Sequence, residues 1–213
     1  MLIAFNKAAF AQMQFVENKG QWNNLIKYKG EFKTGAFFLQ DKGFTVVLNK
    51  PEDVQKKAKL KHGAHLTKFS INPLDSFHSH AYKVSFVGAN SNPHIIPEKV
   101  VPSYNNYFIG NDKTKWAGNC KLYTSITYKN IYPNIDIKYY STFDKLKYDF
   151  IVYPGGDPSK IIMHYEGGVK LNIKNSELIV TTSVGDVKEL SPYCYQTKSS
   201  GSKNIYTKYY IIL

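Results

Sequence analysis

Short runs in which apolar and polar residues alternate recur along the chain, separated by Gly, Pro, Asn and Asp. A period of two residues is typical of a half-buried β-strand, because successive side chains point to opposite faces of the sheet. The pattern predicts strands at Ala36–Gln40, Phe44–Leu48, Ala81–Val87, Tyr104–Ile109, Leu122–Tyr128, Ile135–Tyr140, Leu146–Tyr153, Ile161–Tyr165, Val169–Ile173, Glu177–Thr182 and Ile205–Ile212.

Such closely spaced strands indicate an all-β fold, with antiparallel strands in a two-sheet, β-sandwich-like arrangement. One segment breaks the pattern: PEDVQKKAKLKHG, Pro51 to Gly63, has Pro at its start, acids in its first turn and Gly at its end. These signals predict one short helix. The residues that follow are irregular and polar. We therefore expect a single all-β domain over 12–213, with an irregular insertion at about 51–80.

The first residues, MLIAFNKAAFAQ, end in Ala9-Phe10-Ala11 before Gln12. This small-x-small pattern is the kind that signal peptidase cleaves, so residues 1–11 resemble the truncated end of a signal peptide. A disordered or strand-like N-terminus is the alternative. No later run approaches the roughly 18 apolar residues of a membrane-spanning helix, so no transmembrane segment is predicted. The expected location is secreted or cell-surface.

The stretch from Ile131 to Ile161 holds four aspartates among strand-forming residues. A four-residue loop, Thr142–Lys145, pairs Ser141 with Leu146 and thereby fixes the register of a hairpin. Lys138 then faces Asp149 on the polar side, and Asp136 lies diagonally from Asp149 at about 7–8 Å. The opposite face is entirely apolar and consists of Ile135, Ile137, Tyr139, Tyr148, Phe150 and Val152.

Asp136 and Asp149 are the candidate catalytic residues. Two carboxylates at such a separation can serve a glycosidase as acid and as base or nucleophile. A general acid needs a raised pKa, however, and the sequence offers no cause for one, while Lys138 favours ionisation of both carboxyls. Structural ion pairing, Lys138 with Asp149, is the favoured interpretation, and a glycoside hydrolase is the third functional hypothesis.

The other aspartates have the positions of turn residues. Asp144 occupies the hairpin loop, where its side chain can bond to nearby backbone amides. Asp157 precedes Pro158, which suits the cap of a short helical turn with Pro at its first position. Pro154-Gly155 predicts a type II turn, and Asn134 after Pro133 predicts a left-handed residue.

The formal net charge of +12 invites a nucleic-acid hypothesis, since basic surfaces gain affinity for phosphate. All 28 basic residues are lysine, however, and arginine provides the bidentate contacts that read bases and grip phosphates. The lysines are also scattered over strands and turns. Specific nucleic-acid binding is therefore not expected.

Candidate sites for metals and cofactors are sparse. His78 and His80 lie two residues apart and would share a strand face, which makes them weak metal-binding candidates without a supporting Cys or acid. Ser183-Val184-Gly185 lacks the flanking glycine of a nucleophile elbow. The sequence contains neither a phosphate-binding glycine loop nor an HExxH motif, so no cofactor is predicted.

Two cysteines, Cys120 and Cys194, lie far apart in sequence without metal-ligand spacing. In an exported protein they could form a disulfide, and closing so long a loop would stabilise the fold by about 4 kcal/mol. Two free, buried thiols are the other interpretation, and both stay open.

Carbohydrate binding is the second functional hypothesis. Aromatic side chains in loops can stack on sugar rings, and Trp22, Trp116, Tyr104 and Tyr107 lie in loop-like or turn-flanked segments. Aromatic residues in such places also commonly close the ends of a β core.

A series of motifs in fixed order resembles the uncharacterised N-terminal domain of large exported bacterial proteins, especially of Bacteroidota. The motifs are FVENKGQW (15–22), YKVSFVGAN (82–90), NYFIGND (106–112), YKNIYPNIDIKYY (128–140), KYDFIVYPGGDPSKI (147–161) and SPYCYQ (191–196). In that family the domain precedes SBBP-type β-propeller repeats, PKD-like domains and gliding-motility or type IX secretion C-terminal domains.

The resemblance implies export and brings no catalytic residue with it. It also implies apolar or small residues at the positions of Cys120 and Cys194, which favours free thiols. The leading hypothesis is a non-enzymatic structural or interaction module of a cell-surface protein. Its partners would be other domains, other surface proteins or glycans.

Overall fold

The computed structural model describes residues 13–63, 76–142, 145–198, 201–205 and 207–212, and it confirms the all-β prediction. One α-helix, α1, spans Pro51–Gly63, and two 3-10 turns lie at Lys113–Lys115 and Pro158–Lys160. The strands are β1 Phe15–Glu17, β2 Tyr28–Phe32, β3 Gly35–Gln40, β4 Gly43–Asn49, β5 Ser79–Phe86, β6 His94–Tyr107, β7 Ala117–Tyr132, β8 Ile135–Thr142, β9 Lys145–Val152, β10 Met163–Glu166, β11 Lys170–Lys174, β12 Glu177–Thr182, β13 Gly185–Glu189, β14 Cys194–Lys198 and β15 Gly201–Ile205.

The strands of the described residues form three sheets. The largest has ten strands in the order β10-β5-β4-β3-β2-β1-β7-β8-β9, with β6 added on β7. A second sheet has the order β11-β12-β13, and β14 pairs with β15 alone. The nine pairings whose register the structure describes are antiparallel, as predicted from the sequence.

The chain divides into two compact units. One unit comprises the described residues of Met1–Val47 together with Lys83–Tyr165, and the other comprises those of Leu48–Tyr82 and Glu166–Leu213. Helix α1 and strands β11–β15 belong to the second unit. Among the residues that the structure describes, no helix has the length and apolarity needed to cross a membrane.

The core of the first unit forms where the large sheet curls on itself. The Phe44 ring on β4 lies 6.3 Å from Tyr139 on β8 and 6.0 Å from Tyr148 on β9, centroid to centroid. Phe86 on β5 likewise lies 5.5 Å from Phe150 on β9. These strands are far apart in the sheet order, so the two halves of the sheet face each other, which is the sandwich-like arrangement.

The predicted hairpin register is confirmed. Ser141 pairs with Leu146, Tyr139 with Tyr148 and Ile135 with Val152. Ile135, Ile137 and Tyr139 are fully buried, so the apolar face builds the core as expected, although Val152 at the strand end is 42% exposed. Thr142 pairs with Lys145, so the strands run further towards the loop than predicted, and Asp144 lies outside the described residues.

The turn predictions are confirmed in the same region. Asn134 has φ 58° and Gly155 has φ 85°, the left-handed values that each turn requires. The Asp157 side chain accepts hydrogen bonds from Ser159 N at 3.0 Å and Ser159 Oγ at 2.7 Å, and Pro158 begins the 3-10 turn.

The predicted helix is confirmed over Pro51–Gly63, with Glu52 and Asp53 in its first turn. Within the predicted insertion, residues 64–75 lie outside the described residues, and β5 begins at Ser79.

The strand predicted at Ile205–Ile212 is wrong. Strand β15 spans Gly201–Ile205 and pairs with β14, and residues 207–212 have no regular structure. Thr207 Oγ1 donates to the Ile205 carbonyl at 3.2 Å, a local bond of the kind that competes with a strand ladder. Sequence reasoning also missed β1, β2, β13 and β14.

Candidate functional site

The outer faces of β6, β7 and β8 carry two polar networks. Thr127 faces Lys138 in the register, and Ser125 faces both Glu98 and Tyr140. Because side chains alternate along each strand, the polar members of these strands share one face. One network centres on Asp136 and the other on Glu98.

Asp136 is 1% exposed, against the expectation of an ordinary polar surface. Its Oδ1 accepts a hydrogen bond from the Asn130 backbone N at 2.8 Å, and its Oδ2 accepts one from Tyr153 Oη at 2.9 Å. Lys129 Nζ forms an ion pair with the same carboxylate. These contacts bridge a register shift between β7 and β8, so the carboxylate holds an irregular part of the sheet together.

The electrostatics of Asp136 favour the ionised carboxylate. Burial raises its pKa, but the hydrogen bonds from Lys129, Asn130 and Tyr153 and the positive charge of Lys129 outweigh burial and hold the pKa below its ordinary value. The hydrogen bond to Asp136 in turn raises the pKa of Lys129. A general acid needs the opposite shift, so this environment does not prepare Asp136 to donate a proton.

The expected ion pair between Lys138 and Asp149 is replaced by another. Although the two residues face each other in the register, Lys138 Nζ bonds to Glu98 on β6. Asp149 instead accepts a hydrogen bond from Tyr140 Oη at 3.2 Å. Glu98 offers Lys138 a carboxylate with further donors, since Thr127 Oγ1 at 2.7 Å and Ser125 Oγ at 3.3 Å also bond to it.

The hydrogen bonds from Lys138, Thr127 and Ser125 and the charge of Lys138 lower the pKa of Glu98. Glu98 was missed by sequence reasoning, because its partners come from two other strands. Asp136 and Asp149 hold their predicted diagonal positions, but each is engaged by different neighbours.

The two candidate metal ligands have separate partners. His78 Nδ1 lies 2.9 Å from Asp53 Oδ2, and His80 Nδ1 lies 2.9 Å from Ser183 Oγ. The second pair brings together two residues that sequence spacing alone could not connect. His80 Nε2 is buried without a described partner, so a third member of a nucleophile triad is absent from the described residues. Nowhere in that part of the chain do three His, Cys, Asp or Glu side chains gather to hold a metal.

The four candidate aromatic residues fall into different environments. The Trp22 and Tyr107 rings pack together at 5.2 Å against a small buried cluster that includes Cys120. Trp116 is 38% exposed and its ring lies 5.7 Å from that of Phe108, whereas Tyr104 is 59% exposed. The structure therefore brings Trp22 to Tyr107 and Trp116 to Phe108.

A further aromatic pair, Tyr193 and Tyr195, was not among the sequence candidates. The two rings lie 5.8 Å apart at 37° and are 75% and 57% exposed. Tyr193 Oη donates to Asn204 Oδ1 at 2.9 Å. The two-residue spacing of the tyrosines was the available signal, but no strand was predicted over these residues.

Both cysteines are free thiols in the structure. Cys120 is fully buried and Cys194 is half-buried. Burial raises the pKa of the Cys120 thiol, which disfavours the reactive thiolate.

The fold defines an all-β domain, and the Asp136 and Glu98 carboxylates cross-link neighbouring strands of its large sheet. The family model of a domain of unknown function (DUF7948) matches residues 15–212, and the chain belongs to that family. Comparisons with curated proteins and with solved structures give no match.

Proposed function

We propose that the chain is a non-catalytic structural or interaction module of an exported, cell-surface protein. The observation that carries this proposal is the environment of Asp136, the buried carboxylate among the catalytic candidates. Its oxygens are engaged by Lys129, Asn130 and Tyr153, and its pKa is lowered. Such a group stabilises a sheet and has no proton to give at neutral pH.

A hydrolase screen tests the absence of catalysis. The full chain is incubated with chromogenic glycosides, esters and phosphates, beside Asp136→Asn and Asp149→Asn, and circular dichroism verifies each fold. We expect background rates throughout. Hydrolysis by the wild type that either substitution abolishes, with the fold intact, would overturn the proposal.

Export is supported by the signal-like residues 1–11 and by the ordered motif series from Phe15 to Gln196. The same resemblance favours a Bacteroidota protein in which the domain precedes SBBP-type repeats and a type IX secretion domain. Fractionation of cells that express the natural gene with an epitope tag should place the protein at the surface or in the medium. Retention in the cytoplasm would contradict export.

Carbohydrate binding is the second candidate function, and the exposed Tyr193–Tyr195 ring pair supports it. Two neighbouring exposed rings, one just before β14 and one on it, can stack on successive sugar rings. A polysaccharide array should show saturable binding that Tyr195→Ala removes. Phe77→Ala is the control, since Phe77 is also an exposed aromatic side chain, at 47%, and is not among the candidate binding residues. Absence of binding to the array at high protein concentration would count against this function.

A further inference from the structure

The loop between β6 and β7 holds apolar side chains in solvent. Ile109 is 78% exposed, Phe108 is 60% exposed and Trp116 is 38% exposed. We call these three residues the β6–β7 tip. Single exposed hydrophobic residues are common on proteins, but three at the end of one hairpin, two of them in ring contact, are the kind of feature that interaction surfaces show.

Local hydrogen bonds fix the conformation of this loop. Trp116 Nε1 donates to the Gly110 carbonyl at 3.1 Å, and Gly110 has φ 75°, which glycine adopts without strain. Asp112 Oδ1 accepts bonds from Thr114 N at 3.1 Å and Thr114 Oγ1 at 2.6 Å. These internal hydrogen bonds pair polar groups of the loop and leave its apolar side chains exposed. Because the loop is already ordered, it loses little conformational entropy on binding.

Lysines surround the β6–β7 tip. Lys113 Nζ lies 5.7 Å from the Trp116 ring centroid, and Lys115 is 71% exposed beside Asp112. Lys19 Nζ donates to the carbonyls of Gly118 at 3.2 Å and Asn119 at 3.4 Å. These three ammonium groups outnumber the nearby carboxylates of Asp112 and Glu17 and favour an anionic partner, in keeping with the net charge of +12.

We infer that the β6–β7 tip binds the surface of an anionic lipid bilayer. The boundary between headgroups and acyl chains accepts Phe, Ile and Trp, and anionic headgroups attract neighbouring lysines, whose stems cross the same boundary. The inference rests on the proposed function and gives that interaction module its partner.

Two other kinds of partner fit the geometry less well. Phe108 meets Trp116 at 61° and Lys113 covers the Trp116 ring, so the tip has no flat face for a sugar. Strand β6, which leads to the tip, contains Pro97, Pro102 and two register shifts, so it lacks the regular edge that a protein strand would extend. A small hairpin end also offers less area than a stable protein interface requires.

The test is co-sedimentation of the full chain with vesicles of phosphatidylcholine alone and of equal parts phosphatidylcholine and phosphatidylglycerol. We expect binding to the anionic vesicles only, weakened between about 0.1 M and about 1 M salt. Ile109→Asp should lower the apparent affinity about tenfold or more, because it removes the most exposed apolar side chain. Lys113→Glu should lower it about fivefold or more.

Two control variants separate the tip from general effects. Ile162→Asp introduces the same charge at another exposed isoleucine, which is 40% exposed, and Lys145→Glu makes the same change in net charge on β9. Both should bind like the wild type. In Trp22→Phe, Trp116 is the sole tryptophan, and its fluorescence should shift to the blue when anionic vesicles are added.

The inference is overturned if the chain ignores anionic vesicles, or if Ile162→Asp weakens binding as much as Ile109→Asp does. Reversible self-association without lipid that Ile109→Asp abolishes would assign the tip to a second copy and also overturn it. Binding to whole cells that survives Ile109→Asp would leave the proposed function standing and remove only the lipid partner. If the wild type binds neither vesicles nor whole cells, both the lipid inference and the proposed interaction function are contradicted.

Discussion

Two tyrosines of the core keep a hydroxyl away from water without a described hydrogen-bond partner. Tyr128 and Tyr139 are fully buried, their rings meet at 5.4 Å, and neither Oη has a partner among the described residues. Burial raises the pKa of both hydroxyls far above the ordinary value. The rings contribute apolar packing, whereas each unpaired hydroxyl costs free energy because it has lost its hydrogen bonds to water.

Tyr128→Phe should therefore leave the free energy of unfolding unchanged or raise it by up to about 1 kcal/mol. Tyr132→Phe is the matched control, since Tyr132 is also buried but its Oη donates to the Val87 carbonyl at 3.0 Å. That substitution should lower the stability by about 1 kcal/mol. Urea denaturation of both variants measures the difference, and a loss at position 128 as large as that at 132 would contradict the argument.

At the scale of the element, β4 and β5 approach too closely for a side chain at Gly43. Gly43 has φ 150°, and a Cβ there would lie 2.0 Å from the Val84 carbonyl oxygen. Gly43→Ala should therefore lower the free energy of unfolding by about 3 kcal/mol, since the backbone of β5 must move.

Gly88→Ala is the control for the backbone strain alone, because Gly88 also has positive φ, 70°, but no atom lies within 4 Å of its Cβ position. It should cost only about 1 kcal/mol. Equal losses in urea or thermal denaturation would show that the contact with Val84 has no energetic consequence.

Asp136 holds together the irregular pairing of β7 with β8 through Asn130, Lys129 and Tyr153. Asp136→Asn replaces a charged carboxylate, which accepts three hydrogen bonds, by an amide that cannot pair with all three donors. We expect a loss of about 2 to 3 kcal/mol at pH 7, measured by urea denaturation.

Asp149→Asn is the control for this prediction. Asp149 is exposed and accepts one bond, from Tyr140 Oη at 3.2 Å. Its substitution should change the stability by less than about 0.5 kcal/mol. If both variants lost the same free energy, the special role of the buried carboxylate would have to be abandoned.

The sequence predicts elements well where one local rule decides them. The β8–β9 register followed from apolar alternation and a short loop, and α1 followed from Pro51, two acids and Gly63. Strand β7 was predicted too short, because Asn119 and Asn130, at φ 54° and 50°, break the alternation without ending the strand. Bulges of this kind depend on the partner strand, and local propensity does not encode them.

The candidate site was harder to predict than the fold, because it too depends on contacts between strands that local propensity does not encode. The burial of Asp136, and the choice of Glu98 over Asp149 as the partner of Lys138, both depend on contacts between strands. The pairing of His80 with Ser183 joins residues 103 positions apart. The exposure of side chains such as Ile109 and Tyr193 could not be predicted either. Alternation predicts which residues share a face, but not which face is covered.

At the scale of the whole molecule, the net charge and the hydrogen-bonded carboxylates both make the fold less stable in acid. The chain carries +12 at neutral pH, and protonation of its 16 acids raises that charge further. The carboxylate charges that offset the lysines are then lost, so the net repulsion grows and acid disfavours the compact state. The lowered pKa values of Asp136 and Glu98 add a second, site-specific loss of stability in acid.

Proton uptake by the two carboxylates determines the direction in which the stability changes with pH. The ordinary pKa values are 3.8 for Asp136 and 4.5 for Glu98, and both are lower in the folded chain. The unfolded chain therefore binds protons first as the pH falls, and the stability that these carboxylates provide above those values is lost as the pH drops through the folded pKa values. The urea midpoint should decline progressively from about pH 5 downwards.

The double variant Glu98→Gln with Asp136→Asn separates the two causes, because it removes both titrating groups and leaves every lysine in place. It should be less stable than the wild type at pH 7 but lose less additional free energy between about pH 5 and about pH 3. Added salt should restore part of the acid loss in both proteins, since it screens the repulsion between lysines. Parallel stability curves for the wild type and the double variant would show that repulsion alone governs the acid response.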